Sequence, residues 1–444
     1  MKEKKLLVRN IMSLGIVQVC NMVFPLITLP LIARIIGPDK FGVINYASAV
    51  MGYFTLIINY GFEMTATRVI AQCTNDQDVI NKTFSDIFYT KIILLLVSLA
   101  GFCILLFTLP TLREEKAVAI YSFLICVGWV LTPNWLYQGM QHLNRIALFN
   151  LGSKVIFTIF VLLAIKKRED YVYQPLAFSV AQIAVSIYSF VYAFHLYKIK
   201  LTQYNTKAII QTLKEGRMIF FSMLANSVYV YTSVVILGMF RNTTEIGYYS
   251  AASRVILIAL SVIFIPVNQA MFPYIGAAFA KSREEGLETI RKIFPLGIAL
   301  SFLYGIAILL FSPLVVHVIF GRSFDSAVII LQAMAFIPLI INCGMFLGLQ
   351  GLINLKMDKE YFYVILISGL ASIPLNMVLA YFWGGLGTAI CWVVIEIVVA
   401  IMFYVKLRNR DIDIIERKYF NIGYLFNLSA RTLLPKRTLK VTQE

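Results

Sequence analysis

The stretch ARIIGPDKFGVINYASAVMGYFTLIINYGFEMTATRVIAQ, residues 33–72, sets the plan of this chain. Arg34 ends one apolar segment, and the Gly-Pro-Asp sequence just after it is a strong turn signal. A second apolar segment begins at Phe41, and Arg68 lies just beyond its end. Long apolar segments bounded by cations and joined by a tight turn predict a hairpin of two membrane-spanning helices.

The composition extends this prediction to the whole chain. Hydrophobic residues make up 59% of the 444 residues, charged residues only 14%, and the mean hydropathy is +0.79. A soluble domain would carry about a quarter charged residues. Apolar runs of about 20 residues recur along the sequence. The sequence therefore predicts an all-α, polytopic membrane protein with about twelve transmembrane helices.

The distribution of positive charge predicts the orientation of these helices. The net charge is +16, and most Lys and Arg residues fall in the N-terminal segment, in alternate loops and in the tail. These parts, and therefore both termini, are predicted to be cytoplasmic. Anionic headgroups of the lipid bilayer account for the positive charge, so no nucleic acid partner is expected.

A short motif recurs at the start of two predicted spans. Four residues of the first copy match four of the second: Gly42, Ala47, Ser48 and Val50 with Gly247, Ala252, Ser253 and Val255. A fainter third copy, FGRSFDSAV, occupies residues 320–328. The repeat predicts two pseudo-symmetric lobes of about six helices each, with a site between them. We place the lobes at 1–194 and 217–406, joined by a cytoplasmic linker at 195–216 and followed by a basic cytoplasmic tail at 407–444.

Four cations are candidates for a binding site inside the membrane. A charge at the centre of a bilayer costs at least about 2.5–3.5 kcal/mol, so it needs a partner or a water-filled cavity. Lys154 and Arg254 fall inside predicted spans. Arg34 and Arg68 fall at span ends, where contact with lipid headgroups is the alternative explanation. We predict that all four face a cationic cavity.

Two acidic residues are candidates for ion coupling. Glu63 lies at the end of the second span, five residues before Arg68, and a local ion pair is the favoured alternative. Glu396 lies in the middle of the last predicted span. It either carries a proton or pairs with a cation across the bundle.

Amides and prolines complete the set of candidates. Asn21, Asn226 and Asn268 could contact sugar hydroxyls, although hydrogen bonds between helices are the usual role of such residues. Pro25 and Pro30 interrupt the first span and are the best hinge candidates. The alternative is a static kink, because each proline removes a backbone hydrogen bond.

The sequence lacks the motifs of several other protein classes. It has no Walker A motif and no Cys/His spacing typical of a metal site, so no cofactor or metal is expected. The predicted outer loops are too short to hold an enzyme domain. This argues against a membrane-bound polysaccharide polymerase or glycosyltransferase, and we do not expect an enzyme.

The motifs quoted above also resemble those of a known family. The segments LPLIARIIGPDKFGVINYASAV (29–50), INYGFEMTATRVIA (58–71) and EIGYYSAASRV (245–255) are similar to the polysaccharide transporters of the multidrug/oligosaccharidyl-lipid/polysaccharide exporter superfamily. Within that superfamily, the chain looks most like the O-antigen or repeat-unit flippases. The resemblance covers essentially the whole chain.

This resemblance implies a function. Family members move an undecaprenyl-diphosphate-linked oligosaccharide from the cytoplasmic to the outer leaflet of the bacterial inner membrane, through a cationic cavity. Arg34 and Arg68 match arginines of the family motifs, whereas Lys154 and Arg254 match only as cations compatible with such a cavity. A polysaccharide polymerase is an implied partner. The alternative within the superfamily is a cation-coupled multidrug exporter, but residues 11–33 contain no acidic residue of the kind those exporters carry in their first span.

Overall fold

The protein is built from α-helices. The computed structural model describes the backbone of residues 2–420, and their side chains except those of 2–23, 25–26, 225–226, 228–230, 265 and 417. No strand occurs in this part of the chain. The helices are α1 (Lys2–Asn59), α2 (Phe62–Gln72), α3 (Gln77–Thr108), α4 (Pro110–Glu114), α5 (Lys116–Phe123), α6 (Ile125–Leu131), α7 (Asn134–Gly139), α8 (Leu143–Ala164), α9 (Tyr173–Tyr197), α10 (Thr206–Phe240), α11 (Thr243–Ala259), α12 (Ile265–Lys281), α13 (Arg283–Ile319), α14 (Ser326–Ala333), α15 (Ile337–Met345) and α16 (Asp358–Arg408).

The helices are long and apolar enough to cross a membrane. The described residues contain nine such segments, and the longest, Asp358–Arg408, has 51 residues. A helix of that length would extend about 75 Å, more than twice the thickness of a hydrocarbon core. It is interrupted by Gly384, whose backbone is not helical. The polytopic helical fold is therefore confirmed, while the count of twelve spans stays a prediction.

The turn at residues 37–40 has the backbone that its sequence requires. Gly37 interrupts α1 with φ 75° and ψ 174°. Gly321, in the third copy of the motif, adopts nearly the same conformation, with φ 89° and ψ 173°. Positive φ values of this kind favour glycine, which has no Cβ to clash. The glycines of the two turns thus share a backbone conformation.

The chain divides into two compact units. Unit 1 comprises Met1–Arg254, Pro313–Ile330 and Ser372–Ala389. Unit 2 comprises Val255–Ser312, Leu331–Ala371 and Ile390–Glu444. The predicted division into lobes at 1–194 and 217–406 stays a prediction.

The second half of α1 lies at the centre of unit 1. Ile36, Tyr46 and Ile58 are almost completely buried. Phe41 packs edge to face against Phe320 and Phe324, with ring centroids 5.9 and 5.7 Å apart. The stretch that suggested the fold from the sequence therefore forms much of the core of this unit.

The first part of the predicted linker is bound to α3 by a row of polar side chains. They occur at every fourth residue, which places them on one face of the helix: Gln77, Asn81, Ser85 and Tyr89. Each hydrogen-bonds a backbone atom of residues 197–202, at distances between 2.9 and 3.2 Å. Residues 198–205 are thus fixed to unit 1 although they have no regular secondary structure.

In unit 2, the start of the predicted tail packs on the beginning of α13. The guanidinium of Arg291 donates to the backbone oxygen of Asp413 at 2.7 Å and forms an ion pair with Glu416 at 2.9 Å. Asp413 also pairs with Arg408 at 2.9 Å. The Asp-Ile-Asp sequence at 411–413 thus belongs to a structural contact.

Candidate functional site

A cavity of about 510 Å³ opens inside unit 1. This volume is in the range that proteins use to bind small molecules. Helices α1, α5, α6, α8, α9, α10 and α11 contribute to its wall. The residues lining it are Phe24, Thr28, Leu29, Ile32, Phe41, Ile44, Asn45, Ser48, Met51, Gly52, Thr55, Ser122, Ile125, Trp129, Ser153, Lys154, Phe157, Gln174, Pro175, Phe178, Ser179, Tyr231 and Arg254.

Two of the four predicted cations meet in this cavity. Lys154 reaches it from α8 and Arg254 from α11. The side chain of Arg254 lies deep among the helices yet keeps accessible surface, which is expected of a group facing an internal cavity. No Asp or Glu occurs among the described lining residues. The cavity is therefore suited to an anion.

The other lining residues are uncharged, and they include polar, aromatic and aliphatic side chains. Ser48 is exposed although its neighbours Ala47 and Ala49 are buried, so its hydroxyl faces the cavity. Asn45 donates to the Phe41 carbonyl at 2.8 Å. Hydroxyls, amides and aromatic rings together suit a ligand that has both hydroxyl groups and apolar faces.

Arg34 lies elsewhere, at the end of α13. Its guanidinium donates to the backbone oxygens of His317, at 3.3 Å, and Val318. These carbonyls belong to the last turn of α13, where intrahelical partners are lacking and a cation is favourable. Arg34 does not line the cavity. Its predicted role in substrate binding remains a prediction that this geometry does not support.

Arg68 and Glu63 both lie on α2, outside the cavity lining. Arg68 is exposed and Glu63 half-buried. The expected ion pair between them is absent from the ion pairs of the described residues. A separation of five residues turns the two side chains about 140° apart around a helix. That prediction was wrong, and the proposed coupling role of Glu63 stays untested.

The remaining candidates are dispersed. Glu396 in unit 2 accepts a hydrogen bond from the indole N–H of Trp392 at 3.1 Å. Asn268 is buried and donates to the Phe264 carbonyl at 2.9 Å and to Asn342 Oδ1 at 3.2 Å, which is the interhelical role weighed above. Neither lines the cavity.

Besides Asn268, the hinge and sugar-contact sets contain four predicted residues. Pro30 lies in α1 and is half-buried. The side chains of Asn21, Pro25 and Asn226 lie outside the described residues. The hinge and sugar-contact roles therefore stay predictions. Within the described part of the chain, no group of three or more His, Cys, Asp or Glu side chains could hold a metal ion.

Lys91 is a buried cation that was not among the predicted site residues. Its ammonium group contacts Asn59 Oδ1 at 3.4 Å and the backbone oxygens of Trp129 at 2.9 Å and Thr132 at 3.5 Å. Only 3% of Lys91 is exposed, so these contacts replace water around the charge. The cue in the sequence was a lysine within a predicted span.

A helical membrane fold with an anion-receptive cavity defines a membrane transport protein. The chain belongs to the polysaccharide biosynthesis protein family, whose sequence pattern matches residues 7–279. It is similar to a protein of Escherichia coli (strain K12) named "Putative O-antigen transporter", with 27% identity over 408 residues, covering 91% of this chain and 97% of that protein. A protein of the same name from Shigella dysenteriae is 25% identical over 412 residues, covering 90% and 99%.

Solved structures support the same fold. The lipid II flippase MurJ in its inward closed conformation superposes with a TM-score of 0.73 at 15% identity, covering 96% of this chain and 91% of MurJ. An outward-facing multidrug resistance transporter of the MATE family superposes with a TM-score of 0.53 at 15% identity, covering 92% and 95%. At this level of identity, the likeness extends to the fold alone.

Proposed function

We propose that this protein is a flippase that moves a lipid-linked oligosaccharide across the membrane. The observation that carries this proposal is that Lys154 and Arg254 line one cavity whose described lining contains no acidic residue. Such a site favours the diphosphate of an undecaprenyl-diphosphate-linked sugar. The names of the sequence relatives point to the same class of cargo.

The two cations would hold the diphosphate by charge-assisted hydrogen bonds. A guanidinium can present two N–H groups to one phosphate, whereas an ammonium acts as a compact point charge. Both interactions are stronger inside a helix bundle than in bulk water, because the local dielectric constant is lower. The sugar would occupy the polar and aromatic part of the wall while the polyprenyl chain stays in lipid.

The direction of transport follows from the predicted orientation. With both termini in the cytoplasm, the cargo would enter from the inner leaflet of the bacterial inner membrane and leave at the outer leaflet. The delivered repeat unit is the kind of substrate that a polysaccharide polymerase consumes, so such an enzyme is the proposed functional partner. This chain would act by transport rather than catalysis.

A multidrug exporter is the second candidate, favoured by the MATE-like fold. Many drugs exported by cation coupling carry positive charge. The described wall of this cavity offers two cations and no carboxylate to such a drug. The electrostatics therefore favour an anionic cargo.

Deletion of the gene tests the proposal. Mass analysis of the lipid extract should then find undecaprenyl-diphosphate-linked oligosaccharide accumulating, with the sugar on the cytoplasmic side. The deletion strain should regain outer-leaflet units when the wild-type gene is restored. Normal outer-leaflet units in the deletion strain, in a host without a second transporter, would refute a flippase role. Loss of drug resistance with normal lipid-linked units would favour the exporter.

A further inference from the structure

Trp129 is an aromatic residue of the cavity wall. It is half-buried, lines the cavity, and makes no ring contact with any described residue. Trp135, which follows on α7, is 2% exposed and packs against Phe84 with ring centroids 5.8 Å apart. Trp129 thus keeps accessible surface at the cavity, whereas Trp135 is part of the core.

Trp129 shares one face of its helix with two other lining residues. Ser122, Ile125 and Trp129 recur at the spacing of one helix face, and all three line the cavity. The hydroxyl of Ser122 is buried and has no hydrogen-bond partner among the described residues, so it is not offered to a ligand. The aromatic face of Trp129 suits the apolar C–H face of a pyranose ring.

The backbone carbonyl of Trp129 lacks its usual helical hydrogen-bond partner because a proline follows four residues later. Pro133 follows the end of α6 and has no N–H, so the carbonyl of Trp129 loses the partner that a continuous helix would provide. The ammonium of Lys91 donates to this oxygen at 2.9 Å. It also contacts Thr132 O at 3.5 Å, on the other side of the break. Lys91 therefore fixes both residues where α6 stops.

The same break is tied to the other side of the cavity. The hydroxyls of Thr132 and Ser186 lie 2.7 Å apart, and Gln182 Nε2 donates to Ser186 Oγ at 3.2 Å. Ser153, beside Lys154 in the cavity wall, donates to Gln182 Oε1 at 3.3 Å. Hydrogen bonds thus connect Thr132, three residues after Trp129, with Ser153 on α8, the helix that carries Lys154.

We propose that Trp129 stacks on a sugar ring of the cargo, and that Lys91 is the positioning residue that holds Trp129 for this contact. This proposal rests on the proposed function, and it names the residue of the cavity wall that contacts the sugar. Lys91 itself does not touch the cargo, because it is buried behind the wall.

The test uses the full-length protein in a strain that lacks the chromosomal gene, with surface polysaccharide and lipid-linked units as readouts. Trp129→Ala should lower transport at least tenfold at a normal protein level, whereas Trp129→Phe, which keeps a ring, should retain most of it. Trp135→Phe is the matched control for loss of an indole and should transport normally. Normal transport by Trp129→Ala would overturn the proposed stacking.

A double-mutant cycle tests the role of Lys91. Lys91→Met should lose transport as Trp129→Ala does, Lys91→Arg should restore part of it, and the double variant K91M/W129A should be no worse than either single variant. Two groups that act through one contact give non-additive losses. Multiplied losses in the double variant would show that Lys91 acts independently of Trp129. If Lys91→Met does not reach the membrane, Lys91→Gln, which keeps an N–H donor for the Trp129 carbonyl, takes its place and should retain part of the transport. Complete loss of transport by Lys91→Gln at a normal protein level would contradict the positioning role.

These results separate the inference from the proposed function. If deletion of the gene leaves outer-leaflet units unchanged, the flippase function fails. If deletion abolishes them but Trp129→Ala transports normally, the function stands and only the sugar contact fails.

Discussion

Gly42 and Gly247, the equivalent glycines of the repeated motif, mark a place where two helices meet backbone to backbone. A Cβ added to Gly42 would lie 1.7 Å from the Thr243 oxygen, and one added to Gly247 would lie 1.9 Å from the Pro38 oxygen. Each glycine therefore contacts the segment that contains the other. The sequence repeat has a counterpart in this reciprocal contact within unit 1.

This contact predicts that Gly42→Ala destabilises the state seen in the structure. The atoms that the new methyl group would meet all belong to the backbone of Thr243 and Gly247, so the helices must separate, at a cost of about 1–3 kcal/mol or more. The melting temperature of the purified protein should fall. Gly344→Ala is the control, because nothing lies within 4 Å of a Cβ there. Equal melting temperatures for both variants would show that the two helices part freely.

The cavity predicts that removal of either cation impairs transport. Lys154→Ala and Arg254→Ala should each lower the yield of outer-leaflet units at least tenfold, because each removes a charge-assisted contact with the cargo. Lys154→Arg should be partly tolerated because it keeps the charge. Lys116→Ala removes an exposed cation outside the cavity and should transport normally. Full complementation by both alanine variants would remove these residues from the site.

Arg34 was predicted to bind the substrate, but in the structure it binds backbone oxygens at the end of α13. Hydrogen bonds from a charged group are worth about 1.5–3 kcal/mol when buried and less at an exposed site such as this one. Arg34→Ala should therefore lower the melting temperature while cargo binding by the folded protein stays intact. The measurement is binding of undecaprenyl diphosphate to purified protein below that temperature. Loss of binding with an unchanged melting temperature would instead support the cavity role predicted from the sequence.

The polar row on α3 predicts the behaviour of the linker. Asn81 Oδ1 accepts hydrogen bonds from the Lys200 backbone N–H at 2.9 Å and from Gln77 at 3.1 Å. Asn81→Ala should release residues 198–205 and increase proteolytic cleavage there, since cleavage follows local opening. Asp78→Ala, a substitution of an exposed residue on the same helix, is the control. Unchanged cleavage would mean that the remaining bonds suffice.

The sequence predicted those features that depend on local rules. Apolar length gave the helical membrane fold, and the cost of a buried charge singled out Lys154 and Arg254. Arg34 could not be placed in this way, because its partners are backbone carbonyls far along the chain. Lys91, a lysine within a predicted span, met the same criterion and was overlooked; only its partner, an oxygen left free by Pro133 on another helix, required the fold.

The partner of Asn268 also lies far along the chain. Asn268 binds Asn342, which no local pattern around either residue indicates. The sequence reports the cost of burying a polar group, but only the fold supplies its partner.

Reconstitution into liposomes tests the central claim most directly. Purified protein is inserted into vesicles that contain undecaprenyl-diphosphate-linked oligosaccharide, and a membrane-impermeant glycosidase reports the fraction of sugar exposed outside. With wild-type protein, we expect the accessible fraction to rise from about half towards all of the lipid as inner-leaflet units are moved outward, and to stay near half with Lys154→Ala or Arg254→Ala. Equal accessibility with wild type, both variants and protein-free vesicles would contradict the account.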